Sequence, residues 1–187
     1  MKPFYIAALT LATTAGSAFA TQYLTAEQAQ RVMFPDASSF KDASLQLTVE
    51  QMRQVEKLAG EPARSVNWRV FAAYQGDTLL GHVVLDDVVG KFELISYAVA
   101  LNLDASIKQI EILSYRESHG FEIKSPAWRK QFVGKTAQAG LAVGDGIANI
   151  SGATLSCNHV TDGVRRIAAI AQLMLKKMTP HKISLNN

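Results

Sequence analysis

The segment Ile150-Ser151-Gly152-Ala153-Thr154-Leu155-Ser156-Cys157 concentrates hydroxyls and small side chains just ahead of a long stretch of helical apolar periodicity. A helix start carries unpaired N–H groups and a partial positive charge, so it welcomes an anion such as phosphate. Gly152 and Ala153 add little bulk and leave Thr154 approachable by something large. The same residues are also the makings of an ordinary cap, with Thr154 or Ser156 closing the helix. The residue chemistry alone leaves both readings open.

Other side chains nearby offer different chemistry. Cys157, His159 and Asp162 form a Cys-x-His-x-x-Asp pattern. Three mixed ligands within about a helical turn, with no second cluster elsewhere, make a poor zinc site. Arg165 and Arg166 could approach a phosphate or form a solvated helix face. There is no Gly-x-Ser-x-Gly elbow to support a serine nucleophile. There is no Cys-x-x-Cys-His for an attached c-type haem.

Ser151-Gly152-Ala153-Thr154 resembles the flavinylation signature of FMN-binding domains, which occur in subunits of the sodium-translocating NADH:quinone oxidoreductase and the Rnf electron-transport complex. Small exported relatives carry it too. The surroundings agree in order. Tyr115-Arg116-Glu117-Ser118-His119-Gly120 stands where the family has a Glu-Thr-Pro-Gly-like turn after a strand, and Trp128, Phe132, Gly134 and Lys135 follow. The strand-turn-strand from Ile95 to Ile112 matches the family's core hairpin, so the resemblance runs over about residues 79 to 175. One position departs: the signature usually begins with Asp three residues before its Ser, and Ala148 stands there.

The resemblance implies FMN joined through its phosphate to Thr154 by a separate FAD:protein FMN transferase. It places Ser151, Gly152, Ala153, Leu155 and Ser156 around the attachment point and Glu117, Ser118 and Gly120 in the wall beside the flavin. Trp128 could stand near the isoalloxazine ring, although a Trp four residues before a Phe on a short helix equally suits a core. The implied role is an electron carrier working with membrane-bound or periplasmic redox partners. The alternative is an accessory or sensor module holding a flavin or another phosphate-bearing ligand without a covalent bond. A flavin-dependent reductase is a third reading, with His119 or His159 as the first proton donors to test.

The elements that must position these residues are legible in outline. Thr25-Ala26-Glu27-Gln28 and Thr48-Val49-Glu50-Gln51 are capping boxes, each predicting a helix, one ending near Phe34 before Pro35 and one closed by Gly60. Asp36 to Ser44 reads as a polar loop. Val66 to Tyr74 and Leu79 to Leu85 read as a hairpin, and Glu93 to Leu101 and Ser106 to Ser114 as a second strand pair. Ser125-Pro126 predicts a short helix on which Trp128 and Phe132 share a face. Gly144 to Gly152 reads as a loop. A long helix is expected from about Ser156 to Lys177, with Val160, Val164, Ile167, Ala168, Ala171 and Met174 or Leu175 on one stripe. The expected fold is α+β, an antiparallel sheet of four or five strands with N-terminal helices and a long C-terminal helix.

Composition bounds the setting. The chain has 187 residues, a formal charge of +3 and one cysteine, so it forms no internal disulfide. The charge is too small, and the basic residues too scattered, to argue for nucleic acid. Lys2, the apolar run Tyr5 to Ala12 and the small-x-small triplet Ala18-Phe19-Ala20 have the form of a secretory signal peptide cleaved after Ala20. That run is too short and broken to span about 30 Å of bilayer, and the later apolar stretches are interrupted by charges. The expected organisation is a signal peptide over 1–20, an N-terminal helical segment over 21–65 and the FMN-binding domain over 66–187, in a periplasmic protein.

Overall fold

The computed structural model describes residues 23–138 and 140–176; the signal-peptide expectation and Lys177 lie outside them. In chain order the elements are α1 (Ala26–Met33), β1 (Ser39–Asp42), β2 (Leu45–Gln46), α2 (Val49–Ala59), β3 (Asn67–Gln75), β4 (Thr78–Val89), β5 (Leu94–Leu101) and β6 (Ile107–Ser114). A 3-10 turn (Phe121–Lys124) follows, then α3 (Pro126–Lys130), β7 (Ala142–Val143), β8 (Gly146–Ile147) and α4 (Thr154–Ile170), which runs on as a π-helical turn over Ala171–Leu175. β7 and β8 pair with each other. The architecture is α+β, as expected.

Local signals set the helix ends. Thr25 and Thr48 accept from the N–H of Gln28 and Gln51, and both glutamine side chains accept from the threonine N–H in return. Gly60 takes φ +70° and closes α2. Ser125 caps α3 with Pro126 at its first position.

The main sheet is antiparallel in the order β1-β3-β4-β5-β6, with β2 also paired to β3. β1 corrects the expectation of a loop over Asp36 to Ser44. Ser39 to Asp42 pair with Tyr74 to Phe71, and an edge strand satisfies its backbone this way without an apolar pattern.

Both faces of the sheet are covered. On β5, Ile95, Tyr97, Val99 and Leu101 face one core, while Ala98 and Ala100 face the other. The larger core is closed by α2, α3 and α4, through Val55, Trp128, Val160, Val164 and Ile167, and by Phe132 in the turn after α3. α1 closes the smaller one with Ala29 and Met33. β5 is therefore apolar at nearly every position, as a strand buried on both faces must be.

One polar cluster interrupts the larger core. Tyr97 donates to Asp86 Oδ2 at 2.5 Å, directly across the β4–β5 pair. α4 crosses the tyrosine at Gly163, where a Cβ would stand 1.9 Å from the hydroxyl oxygen. Arg166, expected on a solvated face, is 1% exposed beneath the same helix. Burial lowers its pKa, opposed by the nearby Tyr97 and Asp86. Only tertiary packing put it there, because its neighbour Arg165 reaches outward to Asp162, Glu61 and the Leu141 carbonyl.

Candidate functional site

α4 begins two residues earlier than the sequence predicts. The Ala153 N–H donates to the Ile150 carbonyl at 3.0 Å, and Gly152 turns the chain with φ +80°. Cys157 N–H then makes the first helical bond, to the Ala153 carbonyl. The N-cap is Ala153 and no side chain caps the helix. This removes the alternative reading in which Thr154 or Ser156 is the cap: Ser156 is buried with its hydroxyl 3.4 Å from that of Tyr115. The N–H groups of Thr154, Leu155 and Ser156 consequently have no intrahelical acceptor, at the positive end of the helix.

Thr154 is exposed as the first helical residue. Its Oγ1 accepts from the Asn149 amide at 3.1 Å, which leaves the threonine's own proton and a lone pair free. The loop before it is pinned at Ala148, whose carbonyl accepts from the Trp128 indole at 2.8 Å and whose N–H donates to Gln131 Oε1 at 2.7 Å. Trp128 is in turn set by α3, which Arg129 ties to β6 through the Ile110 carbonyl and the Glu111 carboxylate and to the preceding 3-10 turn through the Lys124 carbonyl.

Opposite Thr154, the chain leaving β6 forms the second wall. The Tyr115 hydroxyl donates to the His119 carbonyl, folding residues 115–119 into a closed turn. Ser118 Oγ and His119 Nδ1 lie 2.9 Å apart. Glu117 is buried, and its Oε1 accepts from the N–H of Phe92 at 2.7 Å and of Glu93 at 3.1 Å. Burial alone would raise its pKa, but these backbone donors and Lys91 outweigh it and hold the carboxyl below its ordinary range.

Together these parts enclose a cleft of about 370 Å³ lined by Lys91, Phe92, Glu117, Ser118, His119 and residues 152–156, a size that suits a small-molecule ligand. The expected residues Glu117, Ser118, Gly152, Ala153, Thr154, Leu155 and Ser156 all line it. Ser151 lies exposed just before it. Gly120 stands one layer behind, against Ala153. Trp128, offered by the sequence either a place near the flavin ring or one in the core, is buried in the core, edge-on to Phe132 with ring centres 5.0 Å apart. It holds the loop and does not line the cleft.

The Cys157-x-His159-x-x-Asp162 pattern does not converge. Cys157 is buried, with its thiol pKa raised by burial. His159 Nδ1 lies 2.5 Å from the Val89 carbonyl, and Asp162 accepts from Arg165.

Lys91 and Phe92 were not singled out from the sequence. An exposed Phe on a turn was the available signal, and its meaning depends on Thr154 lying across the cleft. A second cleft of about 350 Å³ lies among Leu24, Ala26, Arg69, Asp87 and Arg116, and none of the signature residues lines it.

The donor set fits the phosphate end of FMN. It offers an uncapped helix start, an exposed hydroxyl and a lysine in the same cleft, and phosphate is well served by that combination. Among the described residues no helix is long and apolar enough to cross a membrane.

Comparison with known proteins bears on the same segment. No curated protein matches the chain. A crystal structure of NqrC from Shewanella oneidensis is similar at 20% identity over 74% of this chain and 80% of that one, with a TM-score of 0.48. The family model described as FMN-binding domain matches residues 90–169, a span that includes every residue lining the Thr154 cleft. Residues 90–169 thus match the FMN-binding domain family, and FMN is the cofactor that this match supports.

Proposed function

We propose that the protein is an exported electron carrier whose FMN is joined through its phosphate to Thr154. The observation that carries this reading is an exposed threonine hydroxyl at the first position of an uncapped helix, inside the cleft of a matched FMN-binding domain. In the linking reaction, Thr154 Oγ1 attacks the FMN phosphorus of FAD, supplied by an FAD:protein FMN transferase. The new O–P bond replaces the bond to AMP, which departs, and the threonine proton is released.

Bound FMN supplies two-electron acceptance and one-electron release. The chain's own residues do the holding. The N–H groups of Thr154 to Ser156 and the Lys91 ammonium offset the phosphate charge, and Asn149 fixes the Oγ1 that bears the link. A tether retains the cofactor in a compartment where free FMN is scarce. The exported location rests on the leader pattern Lys2 to Ala20.

One observation favours a second reading, a module that holds FMN without a covalent bond. Ala148 replaces the usual Asp, and Asn149 donates to Thr154 Oγ1 where a carboxylate would accept its proton. Acid precipitation separates the two readings. Protein exported from cells that also express a transferase is precipitated beside a Thr154→Val control. Yellow colour in the wild-type pellet alone supports the tethered carrier. Colour released to the supernatant from both supports the module, and a colourless native protein contradicts both.

A further inference from the structure

Phe92 is the most exposed large apolar residue among those described, at 76%, yet its backbone is firmly held. Glu117 Oε1 grips the N–H groups of Phe92 and Glu93, and Gly90 N–H donates to the Glu93 carbonyl at 2.8 Å. The grip requires glycine at position 90, where a Cβ would stand 2.5 Å from the same carboxylate oxygen. A buried carboxylate is thus committed to presenting an aromatic ring to water. That arrangement stabilises nothing by itself, because exposed apolar area is unfavourable.

The ring's setting identifies what covers it. Phe92 lines the cleft that holds Thr154, together with Leu155 in the first turn of α4, 46% exposed. A planar aromatic and an aliphatic side chain in one cleft, beside a phosphate attachment point, suit a flat heteroaromatic ring. We infer that Phe92 packs against the isoalloxazine ring of the FMN, with Leu155 as the second apolar wall and Glu117 as the residue that positions Phe92. The inference rests on the flavin reading above and adds to it where the redox-active ring lies.

Flavin fluorescence tests this in the FMN-loaded protein. Tryptophan quenches an excited flavin by electron transfer only near contact, so Phe92→Trp is expected to lose most of the fluorescence of the wild type. Val133→Trp, at an exposed site on a different cleft, is expected to keep it. Phe92→Ala is expected to make the flavin more accessible to iodide, and at 76% exposure the truncation leaves the core intact. Phe92→Trp fluorescence equal to that of Val133→Trp, in flavin-loaded proteins, would overturn the inference alone. A wild type that binds no flavin would overturn the flavin reading and this inference with it.

Discussion

Gly120 and Ala153 touch so closely that a Cβ added to the glycine would lie 2.1 Å from the Cβ of the alanine. The contact joins the turn after β6 to the residue that opens α4, and so fixes the distance between the two walls of the cleft. Gly120 also needs its φ of +84°, a region that L side chains rarely adopt. The Tyr115 hydroxyl would lie 2.7 Å from the same added carbon.

Gly120→Ala therefore combines backbone strain of about 1–2 kcal/mol with overpacking of about 1–3 kcal/mol. The expected outcome is a loss of stability of about 2–5 kcal/mol, read from the urea midpoint, together with reduced FMN loading. An unchanged midpoint would show that the walls are not locked here.

Glu117 makes the cleft sensitive to acid. Its folded-state pKa is lowered, so its stabilising contribution is full above the unfolded value of about 4.3. It is lost as pH falls below that value and through the folded-state pKa. Glu117→Gln cannot titrate there and is expected to be less stable than wild type at pH 7 by about 1–3 kcal/mol, the size of a hydrogen bond to a charged group. The gap should narrow as pH falls from 5 to about 3 in this measurement. A gap that stays constant with pH would remove the ionised Glu117 from the account.

The local parts of this design were legible in the sequence because their physics is local. Both capping boxes and the Ser125-Pro126 start involve residues three apart or fewer. The signature segment was legible as a helix start next to small residues. Other features needed the fold. Arg166 shares the charge and spacing of a surface residue, and only the passage of α4 over Tyr97 buries it. The hold of Glu117 on Phe92 joins residues 25 apart in sequence. Trp128 had two plausible places, and its indole bond to the Ala148 carbonyl decides for the core.

Ala148 offers a gain-of-function test. It lies on the loop whose Asn149 already contacts Thr154, so Ala148→Asp restores the acid the signature usually carries. The fraction of protein carrying covalent FMN after a short co-expression with the transferase is expected to rise. Because the backbone of Ala148 is held by Trp128 and Gln131 and its side chain is exposed, thermal stability is expected to change little. Equal loading in both proteins would show that this chain works without the carboxylate.

Lys91 lines the cleft with its ammonium 4.9 Å from the centre of the Phe92 ring. A cation beside the flavin favours the added electron density of its reduced form. Lys91→Gln is expected to lower the two-electron midpoint potential by about 30 mV, equivalent to about 1.4 kcal/mol. The difference should shrink as ionic strength rises, and a potential unmoved by the substitution would place the ring away from Lys91.

The most direct test of the central claim is peptide mapping of protein exported in the presence of a transferase. The fragment spanning Ala148 to Arg165 is expected to carry one FMN phosphoester, with fragmentation placing it on Thr154, and Thr154→Val should yield the unmodified fragment. Wild-type protein in which that fragment is recovered wholly unmodified, or with FMN on Ser151 or Ser156, would contradict the account.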